Sequence, residues 1–416
     1  MTGVPQLQIE TVPEEDISRR SFLQMGGACL AGGLLLPSMI NGPLAAQILQ
    51  PEKIDRMWGV AMAYGEGRLD LIDLDDSSLL HSFEGIRATH AITPIESLNR
   101  FVIHGHRADS KEGAVVVFEV DPVHKTWEVV LNEELPGGPA LHWQPNPQFT
   151  EIMFNTVGDG GLHVLDTKEL TIKRFEGGGQ HSNMAFFNDY LVATDKMSGE
   201  TYLSVVERKT GDLISRTPVG HWGHGVTVNN ERGEAFVWST EGVHVVSLAE
   251  STMGDRLKVL ETKNSGERSW FCWTPQGGRY SHDVSWNPGD EYRPYLLVID
   301  TEKGEFDTIK TGDPNLQPSY LQLSPDGKWG LASLRGLEEI AIFDTVANQF
   351  KGVVKAGPAR ASFFERDMTF CRQRDCALVT NTGDNTISLL DLNRKEEIRR
   401  ISLPRRPLWL KAISPA

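Results

Sequence analysis

"LVTNTGDNTISLLDL", residues 378–392, reads as two short strands joined by a tight turn. Apolar and branched residues flank Thr382-Gly383-Asp384-Asn385, and the second run ends in Asp391. The same kind of run recurs along the chain: "RLDLIDLDD" from 68, "GAVVVFEVD" from 113, "GGLHVLDTK" from 160, "TYLSVVERK" from 201, "GVHVVSLAE" from 242, "PYLLVIDTE" from 294, "EIAIFDTVA" from 339 and "TISLLDLNR" from 386. Most end in Asp and a turn, and each is followed by another short strand such as "LLHSFEG" or "EEIRRISLP". The spacing of about 40–50 residues is the period of a four-stranded β-propeller blade.

Two more strands fit between successive marks. "YLQLSPDGKWGLASL" (320–334) is a strand, a Ser-Pro-Asp-Gly turn and a second strand, and "FCWTPQGGRYSHDV" (271–284) and "MTFCRQRDCALVTN" (368–381) share that frame. The first unit lacks an innermost strand, and "LWLKAIS" (408–414) can supply it. The sequence therefore predicts an all-β chain with one propeller over 57–416, closed by the C-terminal strand. Eight four-stranded blades are preferred and seven are the alternative; a pair of β-sandwiches accounts less well for the regular period. Residues 378–392 are similar to the YVTN class of propeller repeat ("VTN…DNTVSVID"), which implies fold and is nearly silent on function.

The N-terminal segment has a different character. In "SRRSFLQMGG" (18–27), Arg19 and Arg20 precede a run with no Asp, Glu, Lys or Arg from Met25 to Pro51. An apolar, glycine-rich stretch is followed by the small residues "GPLAAQ", the order of a removable signal rather than of the fold. A resident membrane helix is the alternative, but five glycines and two prolines from Gly26 to Pro43 make a poor one. Cys29 follows "GGA", which lacks the branched residue usual before a lipoprotein cysteine. The stretch resembles the twin-arginine export signal, with Gln24 where that family often has lysine. The resemblance implies a signal over 1–46, a linker over 47–56, the twin-arginine translocase as a partner, and a periplasmic protein exported already folded, often around a cofactor.

A formal net charge of −15 makes nucleic acid or an anionic membrane a poor partner, and no stable membrane insertion is expected. The four cysteines do not form a disulfide scaffold. Cys371 and Cys376 fall on the two arms of one hairpin, where a disulfide or two reduced thiols are both open. Cys272 falls in an inner strand, as a buried thiol.

In a propeller, the start of each blade's first strand and the end of its second crowd one mouth of the central channel. His90, His142, His181 and His224 fall near first-strand starts in four successive blades, and His221 falls in the loop before the last of these. His104, His106 and His282 fall at second-strand ends. Asp195, Asp283 and Arg335 join the mouth by the second-strand rule, and Arg268 and Arg366 by the first-strand rule. Trp143, Trp222 and Trp270 lie beside them. Any one of these histidines could simply satisfy a strand end. As a group they propose a transition-metal site, since imidazole clusters hold Zn, Cu, Fe or Ni. His142, His181 and His224 would form its heart, completed by His90 or His104, with His106 and His282 nearby and Asp195 orienting a ring. Arg268, Arg335, Trp143 and Trp222 would contact a larger cofactor. His163 and His244 share a third-strand position and read as structural, as do His81 and His124.

There is no H-E-x-x-H, G-x-S-x-G or C-x-x-C-H motif, and "GGGQH" (177–181) lies between strands rather than at a helix start. In export signal, blade plan and mouth histidines the chain resembles, distantly, the propellers of nitrous oxide reductase and haem-d nitrite reductase, and exported metal-carrier propellers. Neither the cupredoxin nor the cytochrome domain of the reductases is expected in these residues. The resemblance implies a periplasmic carrier or accessory protein holding copper or zinc, or a haem-like ligand as the fallback, and serving a metal transporter or partner enzyme. The alternatives are a metal-dependent oxidoreductase using the same mouth and an interaction platform without a small ligand.

Overall fold

The computed structural model describes residues 57–413 except 64–67, 85–88, 107–111, 180–182, 198, 222, 224, 250–256, 264–270, 274–279, 285–293, 301–302, 304, 325–326, 335, 360–365 and 372–375. Its strands form eight four-stranded antiparallel sheets. The molecule is an eight-bladed β-propeller. Blade 1 combines Trp409–Ile413, its inner strand, with Trp58–Ala63, Arg68–Asp73 and Ser78–Glu84. Blades 2 to 8 then follow in chain order, their inner strands being Thr89–Ile95, Ala140–Pro145, Met184–Phe187, Val226–Asn229, Phe271–Trp273, Pro318–Leu323 and Met368–Cys371.

Local chemistry explains the repeat. In several blades the third strand ends in an aspartate that caps the turn to the outer strand. Asp166 Oδ1 accepts the N–H groups of Lys168 (2.9 Å) and Glu169 (2.7 Å), and Asp344 Oδ1 those of Val346 (3.1 Å) and Ala347 (2.8 Å). Asp73 and Asp121 do the same. Four residues after each of these aspartates the chain turns through the left-handed region, at Ser77, Lys125, Leu170 and Asn348. In blades 1, 2, 4, 5, 7 and 8 a bulge interrupts the pairing of third and outer strands, which adds to the blade's twist.

The seams between blades are apolar because alternate residues of each strand face one neighbour or the other. Val102, Val115 and Val117 of blade 2 pack on Ile152 and Phe154 of blade 3, and Val205 of blade 4 packs in one cluster with Val237 and Val246 of blade 5. The ring closes where Trp58–Ala63 pairs with the C-terminal strand, Met62 opposite Trp409 and Trp58 opposite Ile413. Asp367, beside the inner strand of blade 8, fastens that strand: it accepts the Leu410 N–H at 2.9 Å and Lys411 Nζ at 2.7 Å. Cys371 and Cys376 are cross-strand partners in blade 8 and are joined by a disulfide, their Cα atoms 5.3 Å apart. Among the described residues no helix is long and apolar enough to cross a membrane. The expected signal and linker, 1–46 and 47–56, including Arg19 and Arg20, lie outside the described residues.

Candidate functional site

Second strands end, third strands begin and the crossover loops between blades run at one mouth of the ring. His90 lies on the inner strand of blade 2, His104 and His106 on its second strand Arg100–His106, and His142 and Trp143 on the inner strand of blade 3. His282 sits in the middle of Tyr280–Val284 rather than at its end, opposite Val298. The side chains of His90, His106 and His282, and the whole of His181, Trp222, His224, Arg268 and Arg335, lie outside the described residues.

His104 is buried in the seam between blades 2 and 3. Its Nδ1 is 3.0 Å from the carbonyl oxygen of Ala140. A carbonyl only accepts, so Nδ1 carries the hydrogen and Nε2 keeps the lone pair. The ring lies 5.0 Å from both Trp143 and Phe154, and Nε2 is buried with no hydrogen-bond partner among the described residues. Burial pushes its pKa down to about 4, only partly offset by the bond to Ala140. The imidazole is neutral at physiological pH.

His142 belongs to the next seam. The register passes from Ala140 opposite Thr156 directly to His142 opposite Asn155, so Leu141 is an extra residue in the inner strand. That bulge lets Ala140 and Trp143 both pack with Phe154 towards blade 2. It leaves His142, buried, on the face with Asn155, towards blade 4. The structure therefore separates His104 from His142 although both belong to the mouth. Asn155 Nδ2 reaches across to donate to the carbonyl of Gly179 at 2.7 Å, two residues before His181. Asp195 presses on the same glycine: a Cβ there would stand 1.9 Å from Asp195 Cγ. Asp195 is 1 % exposed and ion-pairs with Arg216, whose guanidinium lies 4.9 Å from the centre of the Tyr202 ring.

The seam between blades 4 and 5 repeats this plan. His221 ends the outer strand Leu213–His221 rather than lying in a free loop, and pairs through Nδ1 with Glu241. Ser239 donates to Glu241 at 2.8 Å and sits 2.7 Å from His244 Nε2, while His244 Nδ1 meets Thr262 Oγ1 at 2.9 Å. Burial works to raise the Glu241 pKa, but the bonds from His221 and Ser239 outweigh it and hold it at about 2; Glu241 in turn raises His221. In blade 3, Thr156 donates to Asp159 at 2.9 Å and His163 Nε2 is 3.4 Å from Thr156 Oγ1. His163 is pushed down to about 4 by burial and by Arg174. His163 and His244 thus serve the structural role expected of the third strand, but they stand at the mouth, because a third strand starts where the second ends. Asp159 and Glu241, which carry no motif in the sequence, are what tie them there.

Nearer the axis, Trp143 meets Trp409 edge-on at 6.4 Å, and Tyr320 meets Trp409 at 6.3 Å. Arg366 is fully buried and donates to the carbonyls of Gly357 (2.6 Å) and Leu337 (3.0 Å), so it braces blades 7 and 8. Among the described residues no three His, Cys, Asp or Glu side chains are arranged to hold a metal ion.

These features define a β-propeller with a polar mouth built on blades 2 to 5. No protein-family model matches the chain, and no curated protein matches it in sequence. Solved structures do share its fold. Apo AztD from Citrobacter koseri is similar over 87 % of this chain and 98 % of its own, with 13 % identity and a TM-score of 0.63. The dihydro-haem d1 dehydrogenase NirN, in complex with DHE, is similar over 86 % of this chain and 75 % of its own, with 14 % identity and a TM-score of 0.61.

Proposed function

We propose that the chain is a ligand-carrying propeller of the periplasm that holds a transition metal, or a metal-bearing cofactor, at the mouth of blades 3 to 5. One observation carries the reading. Asn155, the cross-strand partner of His142, holds the carbonyl of Gly179, so the strand bearing His142 and the loop leading to His181 meet across one seam. A metal site takes three or four donors, and a seam that draws successive blades together supports building one from the candidate imidazoles His142, His181 and His224. A propeller neighbour described with DHE bound supports ligand binding by a propeller of this plan. Copper or zinc suits an imidazole set best. A haem-like ligand is the second reading, favoured by Trp143 and Trp409 beside the channel.

Titration calorimetry with Zn²⁺ and Cu²⁺, with elemental analysis of protein from its native source, tests this. Wild type should bind one ion, and His181→Ala with His224→Ala should abolish binding while the melting temperature holds. A wild type that binds neither ion removes the metal reading. Export is tested apart from it: Arg19→Lys with Arg20→Lys should retain the protein in the cytoplasm, and normal periplasmic yield would exclude the twin-arginine route.

A further inference from the structure

We infer that the carboxylate of Asp195, acting with Gly179 and Asn155, is the positioning device that sets ligand affinity at this mouth; the inference rests on the function proposed above. The same contact recurs at four seams. In each, a glycine at the end of one blade or in the segment leading to the next lies close against a polar side chain from the next blade's second strand or the turn that follows it. Cβ atoms built on Gly137, Gly179, Gly220 and Gly357 would fall 2.0 Å from Asp159 Oδ1, 1.9 Å from Asp195 Cγ, 2.2 Å from Glu241 Oε2 and 2.6 Å from Asn381 Cγ. A side chain at any of them would have to displace its neighbour, so glycine is what lets the backbone approach this closely. Hydrogen bonds complete three of the clamps: Asn155 to the Gly179 carbonyl (2.7 Å), the His221 N–H to Glu241 (2.9 Å) and the Gly357 N–H to Asn381 (3.0 Å).

Two of these clamps stand directly before candidate ligands. Gly179 precedes His181 by two residues and Gly220 precedes His224 by four. The Gly179 clamp is closed from two sides. Gly178 is pressed on the Gly160 carbonyl, a Cβ there lying 2.5 Å from that oxygen, and Asp195 is itself held by Arg216. The loop cannot shift by a methyl's width without moving a buried carboxylate. Because outer contacts fix the orientation of ligating groups, losing one typically lowers metal affinity about 10–100-fold.

The experiment compares Gly179→Ala, Asp195→Ala and Asp195→Asn with Gly357→Ala, which breaks the equivalent clamp at blade 8, where no candidate ligand follows. Zn²⁺ and Cu²⁺ are titrated separately, and melting temperature and amide hydrogen exchange over 177–183 are recorded without metal. Gly179→Ala and Asp195→Ala should lose about 10–100-fold in affinity and exchange faster in that segment, and Asp195→Asn, which keeps the shape, should recover most of the loss. Gly357→Ala should lower the melting temperature and leave affinity unchanged. Wild-type affinity and unchanged exchange in Gly179→Ala overturn the inference while leaving the proposed function standing. So does an equal loss of affinity in Gly357→Ala, which would mark a general destabilisation. A wild type that binds neither ion overturns both.

Discussion

His104 donates its Nδ1 hydrogen to the carbonyl of Ala140, 3.0 Å away on the next blade, and so enters the seam as a neutral ring. Its pKa of about 4 in the fold lies below the ordinary imidazole value near 6.5. Between those values the unfolded chain binds a proton that the folded chain refuses, so the contribution is complete above about pH 6.5 and lost as pH falls towards 4. The difference is worth about 3 kcal/mol. His163, also lowered to about 4, acts in the same direction. Melting temperature should fall steeply from pH 6.5 to 4.5, and His104→Phe should flatten part of that slope. An unchanged slope in the variant would count against a buried neutral His104.

Asp367 binds the C-terminal strand from the side and holds Lys411, whose side chain is only 12 % exposed. Asp367→Ala should cost about 3–5 kcal/mol, because it leaves a mostly buried ammonium without its partner. Thermal melts measure the cost. Limited proteolysis should release the segment after residue 403 first, since that strand closes the ring and pairs with a single neighbouring strand, Trp58–Ala63.

The turns after the third strands offer a pair of opposite effects. Asp166→Ala removes the acceptor of two backbone N–H groups and should cost about 1 kcal/mol. Ser77 sits at φ 55°, and Ser77→Gly should recover up to about 1 kcal/mol of left-handed strain. Chemical denaturation of both variants against wild type decides; a stabilised Asp166→Ala would refute the capping role.

The Cys371–Cys376 bond closes a very short loop, so its loss should cost no more than about 2 kcal/mol. Peptide mapping of denatured, unreduced protein should find neither thiol free. Cys371→Ser with Cys376→Ser should still fold, because the blade keeps its strand pairing and the seam contacts of Leu378 and Ile387.

What the sequence determined by itself was the repeat. Alternation within a strand, the capping Asp and the left-handed residue after it act over a few neighbours, so 378–392 and its cognates are readable as blades, and "LWLKAIS" as the missing inner strand. Which histidines can meet was decided only by the tertiary structure. One extra residue, Leu141, turns His142 away from His104 and towards Asn155, and a bulge of that kind depends on the pairing of the two strands rather than on local composition. The contact of Gly179 with Asp195 joins a crossover loop to the next blade, and the three glycines of 177–179 do not reveal in the sequence what lies against them. His163 and His244 were readable as third-strand residues. Their place at the mouth, tied by Asp159 and Glu241, follows from the direction in which the third strand leaves the turn, a property of the assembled ring.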